Sequence, residues 1–231
     1  MMANDAPDKK TRLEAAANYA QMLLSHMKGI PVTVVLAKGD GVLVVPLTED
    51  KAVVETLLES LNPKLISSVG TSLGKDIIAA HKGFPTNSSL ANRIWVFTDG
   101  DETDGLLEKS ILDCVRSGVS VSLIGFGSEQ EIQVIAGDGK TSGYTSLKSE
   151  KMKKIVANVE KNSSAEIKNG VTVNYIDATE AGSALKLLKT VSPKFNSKYE
   201  SNSITYELKP VKRYSLFLGL AIFFFILGFF V

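Results

Sequence analysis

The 231-residue sequence predicts an α/β fold, a doubly wound and mostly parallel sheet, followed by a C-terminal transmembrane helix. Three observations predict it. Short, largely apolar runs at 32–37, 93–98 and 119–126 alternate with segments of helical spacing, the pattern of a parallel sheet covered on both faces. Tight turn residues punctuate the joins. The last sixteen residues, LFLGLAIFFFILGFFV, contain no polar side chain.

In chain order, Thr11-Arg12-Leu13-Glu14 reads as a capping box that opens a helix. That helix sets Leu13, Ala16, Ala20, Leu23 and Met27 on one face and stops at Gly29. Pro31 introduces the strand Val32–Ala37, and the turn KGDG leads into a second run at Val42–Val45, hence a hairpin. Thr48 is expected to cap a helix with Val53, Val54, Leu57, Leu58 and Leu61 inward, ended by Asn62-Pro63. Ser72–His81 reads as a helix and Arg93–Thr98 as a fully buried strand. A helix over Leu106–Ser117 and a strand over Val119–Phe126 follow. Glu131–Ala136 and Tyr144–Leu147 suggest a hairpin, Ser149–Lys161 a helix, Val173–Asp177 a last strand and Ala181–Thr190 a last helix. The domain therefore covers residues 1–190, a polar linker 191–213, and a membrane helix 214–231. Sixteen residues at a rise of ~1.5 Å make about 24 Å of helix, slightly short of a ~30 Å hydrocarbon core, and Tyr214 and Ser215 would lengthen it.

Composition narrows the function. With 26 Lys and Arg against 25 Asp and Glu, the net charge of +1 provides no field that would draw nucleic acid. Cys114 is the single cysteine, so an internal disulfide and a paired-cysteine zinc or redox motif are excluded; its helical spacing from Leu107 and Ile111 marks it as a core residue. His26 and His81 have no His or Cys at ligand spacing.

Chemistry concentrates in two loops at inferred strand ends, where open α/β sheets place their ligands. Gly70-Thr71-Ser72-Leu73-Gly74 opens a helix, and Thr98-Asp99-Gly100-Asp101-Glu102 follows a strand. A threonine hydroxyl and a carboxylate are hard oxygen donors that suit Mg²⁺ or Mn²⁺. The same residues also suit helix caps, Thr71 for one helix and Asp99 for the helix near Leu106.

Gly70-Thr71-x-x-Gly74, followed 28 residues after Thr71 by Phe97-Thr98-Asp99-Gly100, resembles two parts of the metal-ion-dependent adhesion site of von Willebrand factor A domains. Arg12-Leu13-Glu14, Pro46-Leu47-Thr48 and Gly125-Phe126-Gly127 extend the resemblance to the aerotolerance-type (Bat) bacterial membrane proteins. The resemblance implies a non-enzymatic protein-interaction module with a Rossmann-like sheet and Thr71 and Asp99 as metal positions, to which Asp101 and Glu102 would add charge. It also implies a first metal loop, Asp-x-Ser-x-Ser, on a central strand. That motif does not occur in this sequence, and Met1–Asp5 resembles the segment that follows it. The expectation is therefore a domain missing its first central strand and binding Mg²⁺ or Mn²⁺ weakly or not at all. The strands at 32–37 and 93–98 would then either pair directly or leave a slot between them. The implied partners are a protein, including other A-domain membrane proteins, and the lipid bilayer. The implied location is the cell membrane with the domain extracytoplasmic, although the basic cluster Lys209–Arg213 favours the cytoplasmic side.

Two other readings compete. Asp99-x-Asp101-x-Thr103 after an apolar strand fits a haloacid-dehalogenase-like phosphotransferase, with Asp99 as nucleophile and Gly137-Asp138 as a second acidic motif. Against it, about ninety patterned residues precede a motif that normally opens its domain. A metal-free structural membrane protein is the other alternative. A calcium loop counted from Asp99 fails at Asp104 and Ser110, and Gly125-x-Gly127 alone does not make a nucleotide site.

Overall fold

The computed structural model describes residues 1–6, 10–37, 39–62, 72–85, 91–102, 105–135 and 141–191. Helix α1 (Arg12–His26) leads to the antiparallel hairpin β1 (Val32–Leu36) and β2 (Val42–Thr48), then α2 (Lys51–Glu59) and α3 (Leu73–Lys82). Strand β3 (Arg93–Thr98), α4 (Leu107–Arg116) and β4 (Ser120–Gly125) follow. The hairpin β5 (Ile132–Ile135) and β6 (Thr141–Thr145) precedes α5 (Ser149–Asn162), the short α6 (Ser164–Lys168), β7 (Val173–Asp177) and α7 (Ser183–Val191). The parallel sheet runs β3-β4-β7, with Arg93 opposite Ser120 and Val121 opposite Val173.

Alternation along these strands builds two layers, because successive side chains leave opposite faces of a sheet. Ile94, Val96, Val121, Leu123 and Val173 meet Leu73 and Ile77 of α3, Ile111 and Val115 of α4, and Met152 and Val159 of α5. On the other face, Trp95, Phe97, Ile124 and Ile176 meet Ala16 and Leu23 of α1 and Leu187 and Leu188 of α7. Tyr19 stands edge-on to both Phe97 and Phe126, with ring centres 6.3 and 5.6 Å away. A third, smaller cluster closes the β1–β2 hairpin over α1 and α2 through Leu24, Val45, Val54 and Leu58. Helices thus cover both faces of the parallel sheet, as the doubly wound reading requires.

Several local expectations are corrected. Thr48 does not cap α2; it pairs with Val32 as the last residue of β2, and Asp50 caps the helix by accepting from Ala52 N–H at 3.0 Å. Among the described residues β2 pairs only with β1, so no second neighbour needs the N–H that Pro46 lacks. Val53 is exposed, whereas Val54 and Leu58 are buried and Leu57 and Leu61 pack partly buried against them, as expected. Strand β3 is buried on one face only, with Trp95 and Phe97 half-buried on the other. The second arm of the later hairpin is Thr141–Thr145 rather than Tyr144–Leu147, and α6 is additional.

Among the described residues β1 pairs only with β2, and β3 only with β4. The two strands therefore do not close up on one another, one of the two expected outcomes. The predicted linker and membrane helix lie outside the described residues, among which no helix is long and apolar enough to cross a membrane. Cys114 is buried as expected, and burial, then the neighbouring Asp113 charge, push its thiol up to about 11.

Candidate functional site

The β3–α4 loop leaves the sheet at its carboxyl end. Thr98 Oγ1 accepts from Gly100 N–H at 3.0 Å and folds the loop back, while Gly100 adopts the left-handed backbone (φ +81°) that this turn needs. The Asp99 carbonyl accepts from Lys148 N–H at 2.9 Å, tying the loop to the start of α5. These constraints hold the Asp99 side chain buried at the rim.

Its partners come from far away in the sequence. Met1 carries an ammonium 2.5 Å from Asp99 Oδ2, and Arg12 Nη1 lies 3.2 Å from the same oxygen. Arg12 is completely buried (0% exposed). Its Nε and Nη2 donate to the two oxygens of Asp5 at 2.8 and 2.7 Å, and Nη1 also donates to Thr145 Oγ1 at 3.3 Å. Asp5 Oδ2 accepts a further bond from Ser128 N–H at 2.8 Å. Thr145 Oγ1 in turn donates to Asp101 Oδ2 at 3.4 Å. One guanidinium thus links the N-terminal segment, β3, the loop after β4 and the β5–β6 hairpin. Its fork geometry suits this, since it presents five donors in one plane.

The start of α1 places that guanidinium. The capping box is present, with Thr11 Oγ1 accepting from Glu14 N–H at 3.1 Å and Glu14 Oε2 accepting from Thr11 N–H at 2.8 Å. Two more first-turn amides, those of Arg12 and Leu13, donate to the Ala3 and Met1 carbonyls at 2.9 and 3.0 Å. The segment carrying Asp5 is thereby laid against the helix end. Gly127 (φ +121°) makes the space, because a Cβ there would overlap Arg12 Nε. Gly125-x-Gly127 is therefore a packing feature at its second glycine, not a phosphate loop.

The electrostatics follow from this geometry. Burial opposes ionisation of Asp99, but the Met1 ammonium and Arg12 outweigh it and hold the carboxyl below its ordinary value. Burial likewise opposes ionisation of Asp5, and the Arg12 and Ser128 hydrogen bonds overcome it. Arg12 pays the desolvation of a buried cation, offset by the two carboxylates, and stays charged.

The predicted site residues separate. Thr71 lies outside the described residues, as do Gly137 and Asp138. Asp99 and Asp101 belong to one network through Thr145. Glu102 is engaged elsewhere. Its Oε1 accepts from Leu107 N–H at 2.6 Å, capping α4, and its Oε2 pairs with Lys151 at 3.0 Å. The capping role considered for Asp99 therefore falls to Glu102. Among the described residues no three His, Cys, Asp or Glu side chains are grouped to hold a metal ion. The donor chemistry of Asp99 suits Mg²⁺, but its surroundings do not, since its Oδ2 already faces the buried Arg12 guanidinium. As arranged, the described residues do not fit a divalent ion.

Sequence reasoning did not assign Arg12, Asp5, Thr145 or Tyr144 to the site. Tyr144 is 71% exposed, one residue before Thr145 on β6. Asp101 is also exposed, so the rim presents an aromatic and a carboxylate to solvent. Away from this rim, a polar groove of about 390 Å³ runs along β7, lined by Lys153, Asn174, Tyr175 and Asp177 among others; it contains none of the predicted site residues.

Residues 1–102 match the von Willebrand factor type A domain family. No curated protein matches the chain. Among solved structures, the chain is similar to the conserved hypothetical protein BatB from Bacteroides thetaiotaomicron, at 22% identity and a TM-score of 0.67 over 85% of this chain and 93% of that one. An aerotolerance-related membrane protein from Bacteroides fragilis, solved with multiple mutations to serines, is similar at 21% identity and a TM-score of 0.65, over 85% and 92% of the two chains. The SpRpn10 VWA domain reaches a TM-score of 0.50 at 14% identity, over 84% and 89%. These likenesses establish the fold.

Proposed function

We propose, from the von Willebrand factor type A domain that this chain carries, that it is a non-enzymatic protein-interaction module which docks its partner at the rim around Asp99. The observation that carries this reading is Tyr144. A tyrosine exposed to 71% stands on β6 one residue before Thr145, whose hydroxyl is hydrogen-bonded to Arg12 and Asp101, and an exposed aromatic of this kind is a fit anchor for a partner. Asp101, exposed and hydrogen-bonded to Thr145, supplies a charge that steers and orients the encounter.

The domain is anchored in the cell membrane through 214–231 and faces the extracytoplasmic side. Support comes from the uninterrupted apolar run Leu216–Val231 and from the Bacteroides fragilis structure, whose protein is described as a membrane protein. Partners of the same domain type within the membrane fit this reading. The phosphotransferase alternative asks Asp99 to attack phosphorus, a role poorly served by a buried carboxylate paired with Arg12.

The test is affinity purification of the full chain from detergent-solubilised membranes, with mass spectrometry of what co-purifies. A specific protein recovered at least about tenfold less with Tyr144→Ala, at unchanged melting temperature, supports the reading. Equal recovery by the two chains contradicts it.

A further inference from the structure

We infer that Arg12 occupies the place of the cation at this rim, so that the carboxylates of Asp5 and Asp99 are bridged by a guanidinium and not by a divalent ion. Three observations lead there. The guanidinium lies between the two carboxylates, 2.7 Å from Asp5 Oδ2 and 3.2 Å from Asp99 Oδ2. It is fully buried and reached through a helix whose first turn is fixed by four hydrogen-bonded amide or side-chain contacts, so it is built into the fold. Gly127 provides a backbone without a Cβ where a side chain would collide with the guanidinium.

A guanidinium and a hydrated divalent ion cannot share the space between the same two oxygens. The guanidinium is tethered, and an ion must displace it while both carboxylates stay in place. Arg12 therefore makes the rim cation-independent in the intact chain. Removing its side chain leaves Asp5 without its cation and Asp99 with only the Met1 nitrogen beside it, across a space of arginine size into which two hard carboxylates can draw Mg²⁺ or Mn²⁺. Arg12 is in this sense a positioning residue, whose charge substitutes for a metal in holding Asp5 and Asp99 together.

This inference takes from the proposed function only the location of the rim. Partner loss on Tyr144→Ala and cation gain on Arg12→Ala are separate readouts, and either can fail alone. The experiment measures thermal melting and Mn²⁺ binding of the full chain in mild detergent, for the native protein, Arg12→Ala, and Arg12→Ala combined with Asp99→Asn. The native chain is expected to melt at the same temperature with or without millimolar Mn²⁺. Arg12→Ala is expected to melt lower, to bind Mn²⁺ at least about tenfold more tightly than the native chain, and to regain part of its melting temperature with Mn²⁺ but not with NaCl of equal ionic strength. Adding Asp99→Asn is expected to abolish that recovery. An Arg12→Ala chain as indifferent to Mn²⁺ as the native one overturns the inference, as does recovery that survives Asp99→Asn. Should Arg12→Ala fail to fold, the native chain still decides: the Arg12 Nε–H resonance is expected to stay unmoved through a Mg²⁺ titration, and its displacement overturns the inference.

Discussion

Arg12 and Asp99, 87 positions apart in the sequence, meet through Nη1 and Oδ2 at 3.2 Å inside the domain. Because Asp5 grips the other side of the same guanidinium, removing either carboxylate leaves a buried cation short of a counter-charge. Breaking a buried pair in this way costs about 3–5 kcal/mol, against a domain stability of roughly 5–15 kcal/mol. Asp5→Ala is therefore expected to lower the urea midpoint strongly at unchanged slope. A midpoint shift corresponding to less than about 1 kcal/mol, the range of a solvent-exposed pair, would show that the network is not buried in solution.

Gly127→Ala tests the same network from its rim. The new methyl would overlap Arg12 Nε, and the residue sits at φ +121°, where side chains are strained. A loss of about 1–3 kcal/mol is expected, measured by the same denaturation. Gly118→Ala, at a left-handed position with open space around it, provides the comparison and should lose less, since only backbone strain acts there.

Acid should weaken the domain through these two carboxyls. Both Asp5 and Asp99 have folded values lowered from 3.8. The sign follows: the folded state holds fewer protons, so the stabilisation is complete above 3.8 and is lost as pH falls from there through the lowered folded values. Melting temperature is expected to be flat from neutral pH down to about 4, then to drop steeply, and Asp5→Asn is expected to flatten part of that drop. An equally steep acid transition in Asp5→Asn would remove Asp5 as a cause.

Cys114 should be inert. It lies on the buried face of α4, and its thiol is pushed up to about 11, so little thiolate exists at neutral pH. A thiol reagent is expected to leave the native chain unlabelled and to label one site after unfolding. Rapid labelling of native protein would show that α4 opens on its own.

Much of the fold was legible because tertiary structure agreed with local pattern. Arg93–Thr98 and Val173–Asp177 form strands with the expected ends, as each is an apolar run bounded by polar or turn residues. Thr11 and Glu14 announced the start of α1 by a mechanism confined to one turn. Where pairing decided, local chemistry misled: Thr48 looks like a cap, but Val32 draws it into the hairpin. Asp99 was legible as a strand-end carboxylate. Arg12 was not, because an arginine in a first helical turn ordinarily points to solvent, and only the closure of segments around residues 5, 99, 128 and 145 buries it. Tyr144 was read only as part of a hairpin, since exposure of an aromatic does not show in alternation alone.

The central claim, that the partner docks at the rim carrying Asp99, Asp101 and Tyr144, is tested most directly by site-specific photo-cross-linking in intact cells. A photo-reactive residue is placed at position 144 in one chain and at position 118, in the exposed α4–β4 turn, in another. The account predicts one defined protein adduct from position 144, absent from position 118 and lost when Asp101→Ala is added. The same adduct from both positions, or capture from position 118 alone, would contradict it.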